Sequence, residues 1–332
     1  MTAAEPSIDA AVIDVLTRAA APMREQTLAT LAGRTPAQVR SALAGLDGAG
    51  CTFDSTPSLG LRLRRTGIGA WADYLQWRDA QRNTRPRRIE VYRSTASTQD
   101  VARRMVAAFG PDADGALAVA DEQTAGRGRL GRRWHAPSGA CLTFTRVIVS
   151  GADQALPTID RIMLSSAVAV AQSVEALIAP RRDRVGIKWP NDIVVDGRKL
   201  AGILIETLPA LRSAIIGIGV NVTLAESDVP DELKPRATSL AMLGCKVDRL
   251  VVLSHLVRAL DAALHSNTDA AWLIRQWRQF NIFSSDQPVT FRHNGDTFRA
   301  SVIDLDATEG LIVRTESGTI TRLPAASTSV VV

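Results

Sequence analysis

At 332 residues and 46% apolar composition, the chain can bury one large core with smaller domains attached. Its longest Ala/Val-rich run, Leu164 to Ala179, is broken by Ser165, Ser166, Gln172 and Glu175, so no membrane span is expected. A formal charge of +5 permits nucleic acid, nucleotide or acidic protein partners without selecting one, and the scattered Cys51, Cys141 and Cys245, with no C-x-x-C pair, argue against a disulfide framework or zinc site.

The chain opens with Glu5 and Asp9 and no basic stretch before an apolar one, which does not read as a signal peptide; a cytoplasmic location is expected. Ile8, Val12, Val15 and Leu16 then fall at helical spacing, Leu28 and Leu31 mark a short helix ending at Gly33, and Pro36 starts a third through Val39, Leu43 and Leu46. Short strands near Cys51–Phe53 and Leu59–Leu63 complete a winged helix-turn-helix over residues 1–66, with the Thr35–Leu46 helix as the groove-entering one. Arg34, Thr35, Gln38 and Arg40 are the candidate DNA contacts; that helix is Ala-rich, and Arg62, Arg64 and Arg65 could serve phosphates instead. The alternative is a small helical regulatory module. Residues 67–88, arginine-rich from Arg78 and containing Asn83 and Pro86, read as a solvated linker more readily than as a basic arm.

From Ile89 strands and helices alternate to about residue 283, which predicts a largely antiparallel sheet carrying long helices, an α+β layer architecture. Residues 284–332 change character again. Short strands separated by Asn294-Gly295, Asp306–Glu309 and Ser317-Gly318 turns predict a small β-barrel.

Three constellations carry chemistry. Gly126, Gly128 and Gly131 have dinucleotide-loop spacing, but Arg132-Arg133-Trp134-His135-Ala136-Pro137 cannot continue as the helix such a site requires, and no Lys-Ser/Thr follows as in a Walker loop. What remains is a glycine-rich loop bearing Arg127, Arg129 and Arg132, suited to carboxylates and phosphates. Ordering its seven residues costs roughly 7–14 kcal/mol of backbone entropy, against about 1.5–3 kcal/mol returned per charge-assisted hydrogen bond. The loop is therefore expected to settle only over a phosphate-bearing ligand. Lys188-Trp189-Pro190-Asn191-Asp192 offers a lysine at a strand end beside a metal ligand or base, and Lys199 opens the apolar strand that continues through Gly202. Ser97 or Thr98 can cap a helix, or with Gln99 and Gln123 bind an uncharged polar head.

Gly126 to Trp134, Lys188 to Asp192, Lys199 to Glu206 and Gly217 to Val222 together resemble, in order and spacing, the signature motifs of biotin protein ligases. The flanking domains resemble the bifunctional kind that also represses the biotin operon, so the likeness covers almost the whole chain. The resemblance implies a class II synthetase-like ligase domain with an SH3-like C-terminal barrel. It implies ATP, biotin and Mg²⁺, the intermediate biotinyl-5′-AMP, and a carrier lysine on the biotin carboxyl carrier protein of acetyl-CoA carboxylase. Operator DNA and a homodimer formed with biotinyl-5′-AMP bound are the further partners it implies, with no membrane.

On that reading Ser97, Thr98, Gln99 and Gln123 line the biotin pocket, the second Ser-Thr pair being preferred over Ser94-Thr95. Arg127, Gly128, Arg129, Lys199 and Gly202 complete it. The adenylate falls to Gly126, Arg127, Arg129, Arg132, Trp134, Lys188, Asn191 and Asn221. Lys199, Arg129, Lys188 and Asp192 are the catalytic candidates, and Asn191 and Asp192 would serve magnesium. A lipoate-type ligase and a ligase with a degenerate DNA-binding domain are the alternatives.

Overall fold

The computed structural model of the protein describes residues 8–82, 84, 86–151, 154–179, 184–265 and 268–331, with residues 8 and 9 by backbone alone. Glu5 and Asn83, noted above, lie outside them.

Helices α1 (Ile8–Arg18), α2 (Glu25–Ala32) and α3 (Pro36–Gly48) precede an antiparallel hairpin, β1 (Thr52–Thr56) and β2 (Gly60–Arg65). Val12, Ile13, Leu16, Leu28, Val39 and Leu46 are buried between them, as the helical spacing requires. Gly33 ends α2 in the left-handed region (φ +64°). Thr35 and Gln38 form a reciprocal capping box at the start of α3, with Pro36 in its first turn.

Residues 67–88 are not the solvated linker expected from their charge. Trp71–Gln81 form helix α4. Its Trp71, Tyr74 and Leu75 are buried, and the Tyr74 hydroxyl (3.0 Å) and Arg78 guanidinium (2.8 Å) both donate to Asp14 of α1. Two of the arginines that suggested solvent, Arg78 and Arg87, are neutralised by aspartates, Asp14 and Asp261 lying far off in the chain. Arg87 spans Asp79 (2.7 Å) and Asp261 (2.7 Å), and Arg146 adds a second bond to Asp261 (3.0 Å). Burial opposes the charge on Arg87, yet Asp261 and Asp79 more than offset it and push its pKa above the ordinary arginine value. Burial likewise works to raise the Asp261 carboxyl, but Arg87 and Arg146 hold it below the usual range.

The large sheet comprises β3 (Ile89–Thr95), β4 (Leu117–Gln123), β5 (Cys141–Val149), β6 (Val185–Lys188), β7 (Asp192–Val195), β8 (Arg198–Leu208) and β9 (Ser213–Asn221), in the spatial order β3-β4-β5-β9-β8-β7-β6. Only β3 and β4 run parallel; the other neighbours are antiparallel. Its two faces follow the period of two. Ala118, Val147 and Ile215 point at helix α5 (Thr98–Phe109), while Leu117, Phe144, Ile216 and Ile218 belong to the main core. That core is roofed by α6 (Ile159–Ile178), α7 (Arg249–Ala263) and α8 (Ala270–Phe280). Helix α6 is long and apolar enough to cross a membrane, but it is mostly buried inside the protein as a core helix.

Asp248 caps α7 and joins it to the first segment. Its carboxylate accepts from Leu250 N (2.8 Å), Thr66 N (2.8 Å) and Thr66 Oγ1 (2.6 Å), and Trp71 Nε1 donates to the same Thr66 hydroxyl (3.0 Å). The neighbouring Arg249, nearly buried, bonds Asp121 (2.5 Å) and the Cys141 carbonyl (3.2 Å).

The last segment is an antiparallel sheet of β10 (Val289–His293), β11 (Asp296–Asp306), β12 (Gly310–Thr315), β13 (Ile320–Leu323) and β14 (Thr328–Val330), ordered β13-β12-β11-β10-β14. Strand β14 has no sequence signal of its own; it is three residues added to the free edge of β10.

The buried Arg87 bridge generates a stability prediction. Arg87→Ala strips the countercharge from Asp79 and is expected to cost about 3–5 kcal/mol, read as a lower urea midpoint; a wild-type midpoint would contradict the role given to the bridge.

Candidate functional site

Three glycines make the site possible. Gly202 of β8 lies directly opposite Gly219 of β9, and Gly217 sits two residues away on the same face as Gly219. That face carries Ile215 and α5 further along, so without these glycines it would be filled by side chains. A Cβ at Gly202 would come 3.0 Å from the Trp134 ring, one at Gly217 would come 3.1 Å from Gln99, and one at Gly219 would overlap the indole outright. The result is a cavity of about 550 Å³. All the ligase-site residues expected from the sequence line it except Gly126, which lies beneath the loop and bonds Trp134 through its carbonyl (3.0 Å).

One end is neutral and rich in hydrogen-bonding groups. Ser97 caps α5, and Thr98 and Gln99 follow it into the cavity, all three buried. Gln123 Oε1 accepts from Thr98 N (2.8 Å) and Oγ1 (3.1 Å), and Thr145 Oγ1 donates to Thr98 Oγ1 (2.8 Å). Gln99 Nε2 reaches the Leu204 carbonyl (3.1 Å), while its Oε1 is buried without a hydrogen-bond partner. Ser94 and Thr95 sit on β3 and do not line the cavity, which favours the second Ser-Thr pair.

The other end is cationic. Lys199 Nζ lies 2.6 Å from Asp192 and 5.5 Å from the centre of the Trp134 ring. Burial lowers the Lys188 pKa; Asp192 opposes this, while Lys199, Arg236 and Arg132 reinforce it. Asn221, opposite Cys141 at the end of β9, is buried and donates to the Thr238 carbonyl (2.9 Å).

The loop differs from its expectation in one respect: two of its arginines, Arg127 and Arg129, already have protein partners. Gly128 N donates to the Arg132 carbonyl (2.7 Å). Arg127 makes two bonds to Asp100 (3.0 and 2.7 Å), which hold that carboxyl below its usual range. Arg129 donates to Asn191 Oδ1 (3.2 Å), to the Thr328 carbonyl (2.8 Å) and to the Ala325 carbonyl. These contacts supply part of the stabilisation that the entropy argument assigned to a ligand.

Asn191 and Asp192, the magnesium candidates, each have Oδ1 against a cation, and no group of three His, Cys, Asp or Glu able to hold a metal occurs among the described residues. The pair does not fit an ion held by protein groups alone. The DNA candidates lie apart from the cavity. Thr35 and Gln38 are engaged in the capping box, Arg40 pairs with Glu25, and Arg34 bonds the Gly33 carbonyl (3.1 Å).

Several residues that build the site carried no signal in the sequence. Thr145, which supports Thr98, is one alternating strand residue among many. Arg236 ends a short 3₁₀ turn held against β8 by Thr238 N donating to the Lys199 carbonyl (2.9 Å). Arg292 and Ser329 bring the C-terminal segment to the cavity wall.

The arrangement can hold an uncharged polar head at one end and a polyanion at the other, with a lysine at the junction. Comparison with known proteins agrees. Residues 90–222 match the model of the biotin/lipoate A/B protein ligase family. The bifunctional ligase/repressor BirA of Bacillus spizizenii is 36% identical over 232 residues, covering 67% of this chain and 68% of that protein. The biotin–acetyl-CoA-carboxylase ligase of Mycobacterium tuberculosis is 40% identical over 197 residues, 59% of this chain and 67% of that one. Among solved structures, the Aquifex aeolicus biotin protein ligase in complex with biotin and ATP shares the fold (TM-score 0.61, 24% identity, 73% of this chain and 98% of that one). The Leishmania major ligase in complex with biotinyl-5-AMP gives a TM-score of 0.51 at 27% identity, covering 73% and 100%. Sequence motifs, cavity and relatives converge: the chain belongs to the biotin protein ligase family and is a ligase.

Proposed function

We propose that the chain joins biotin to ATP as biotinyl-5′-AMP and then transfers the biotinyl group to a lysine of the biotin carboxyl carrier protein of acetyl-CoA carboxylase. The observation that carries this reading is the polarity of the ~550 Å³ cavity, neutral at Ser97–Gln99 and Gln123 and cationic at Lys188, Lys199 and Arg129. Biotin's head would bond the neutral end, leaving its carboxylate to reach Lys199. A carboxylate oxygen attacks the α-phosphorus, the bond to the pyrophosphate oxygen breaks, and Lys199 and Arg129 stabilise the charge that builds there. Lys188, Arg132 and Arg236 hold the departing phosphates. Trp134, seated on the glycine floor, offers its indole as a wall against which the adenylate packs, and helps keep water off the mixed anhydride. The carrier amine then attacks the acyl carbon and AMP leaves. Magnesium enters only as the companion of the ATP phosphates.

A second activity is favoured by the three helices and hairpin before residue 66, which we read as a winged helix-turn-helix, and by a relative named as a ligase/repressor. With Thr35, Gln38 and Arg40 bonded within the segment, and Arg64 of the hairpin paired with Asp54, phosphate contact from Arg34, Arg62 and Arg65 supports operator binding better than base readout does. Homodimerisation with biotinyl-5′-AMP bound, and an SH3-like identity for the C-terminal sheet, complete this reading.

Lys199→Ala is expected to lower biotin-dependent pyrophosphate exchange about 10²–10³-fold with the fold intact by circular dichroism. Exchange at the wild-type rate, or a preference for lipoate over biotin, would overturn the ligase chemistry proposed. Gly219→Ala should displace the Trp134 indole and weaken ATP binding at least ~10-fold, about 1.4 kcal/mol, by calorimetry. For the DNA activity, gel shifts with biotin-operator DNA should give retardation that weakens steeply with salt and requires biotinyl-5′-AMP; salt-insensitive or sequence-indifferent retardation would count against repression.

A further inference from the structure

The C-terminal segment contributes more than a wall to the cavity. Arg129 belongs to the loop over the catalytic sheet, yet most of its hydrogen bonds run to backbone carbonyls of residues 325–328. Nη2 donates to the carbonyls of Ala325 and Thr328 (2.8 Å for the latter), and Nη1 donates to Asn191 Oδ1 (3.2 Å). A guanidinium has five N–H donors, so Nε and one Nη1 hydrogen remain for an anion. The carbonyls fix where those remaining donors point.

Thr328 is held in strand β14, but Ala325 lies in the 324–327 connection between strands β13 and β14 and needs holding of its own. One side chain of the catalytic domain reaches it. Asp160, in the first turn of α6 and nearly buried, accepts a hydrogen bond from Ala325 N at 2.7 Å. Gly310 makes room for it, since a Cβ there would lie 2.8 Å from Asp160 Oδ1. Burial pushes the Asp160 carboxyl above its ordinary range, with the Ala325 amide pulling the other way. A carboxylate kept at that disadvantage is poorly explained by helix capping, which Thr158 already supplies (3.2 Å to Arg161 N).

Ala325 is buried in the core, but packing on the Arg129 side of this joint is incomplete. A second cavity of about 200 Å³ lies here, lined by Arg129, Leu130, Ile159, Met163, Ala325 and Ala326 among others. Leu130 is exposed and has φ +56°, a conformation a leucine keeps only where its surroundings impose it. On that side the alignment falls to the polar contacts.

We propose that Asp160 is a positioning residue for the ligase reaction: through the Ala325 amide it sets the 325–328 carbonyls that aim Arg129 at the anionic ligand. This inference rests on the role given to Arg129 under Proposed function, and the test separates the two. Biotin-dependent pyrophosphate exchange is measured on the full chain for wild type, Arg129→Ala, Asp160→Ala, Asp160→Asn and the Arg129→Ala/Asp160→Ala double variant, with KM for ATP and kcat taken separately. Asp160→Ala is expected to lower kcat/KM about tenfold, Asp160→Asn, which keeps the acceptor oxygen, to stay within about threefold of wild type, and the double variant to be no worse than Arg129→Ala alone. If the two losses multiply in the double variant, or Asp160→Ala matches wild type, Asp160 does not act through Arg129 and the proposal falls. If Arg129→Ala itself leaves exchange unchanged, the role of Arg129 falls first. Should Asp160→Ala fail to fold, Asp160→Ser takes its place in the cycle with the same expected and overturning results; it keeps a polar group in the first turn of α6 but is too short to reach Ala325.

Discussion

The site depends on atoms that are missing. Where β8 and β9 pair, Gly202 faces Gly219 and Gly217 lies on the same face, so a sheet otherwise packed on both sides leaves one stretch open. Neighbouring strand residues Ile203, Ile216 and Ile218 point the other way into the core and keep the backbone rigid under the opening. A floor of backbone alone lets Trp134 lie flat against the sheet and lets Lys199 approach its ring. A single methyl group at position 219 would deny both. The glycines therefore act through geometry, while the charged groups around them act through chemistry.

Much of this was legible in the sequence because the motifs are local. Ser97–Gln99 cap and open one helix, Lys188–Asp192 turn between two paired strands, and Lys199 and Gly202 share a third. Contiguity of this kind survives folding unchanged. Helix α4 was missed for the opposite reason. Arg78 within it and Arg87 just beyond it look solvated until Asp14 and Asp261, far off in sequence, arrive to neutralise them. Strand β14 and the carbonyls of Ala325 and Thr328 were also illegible, because a backbone oxygen carries no side-chain signature. The partners of the loop arginines fall in the same class, so the entropy argument, though sound in magnitude, lacked half of its favourable terms.

The charge distribution explains a second division. Around α4 and α7, Arg78, Arg87 and Arg146 pair with Asp14, Asp79 and Asp261 in largely buried bridges, a pattern that holds segments together. In the cavity Lys188 is half-buried with three cationic neighbours and one carboxylate, which is disadvantageous without a polyanion. The same residue types thus do two jobs, distinguished by whether the protein supplies the countercharge or leaves it to a ligand.

The Arg129–Thr328 bond joins residues 199 positions apart. During synthesis the loop, its sheet and α6 all emerge from the ribosome well before the carbonyl that receives the arginine. The nascent ligase sheet can therefore close around its glycine floor with Arg129 still unanchored, and the guanidinium takes its working direction among the last long-range contacts the chain can form. Alignment of the reactive end of the cavity is in this sense timed by the length of the polypeptide, separately from the formation of the pocket itself.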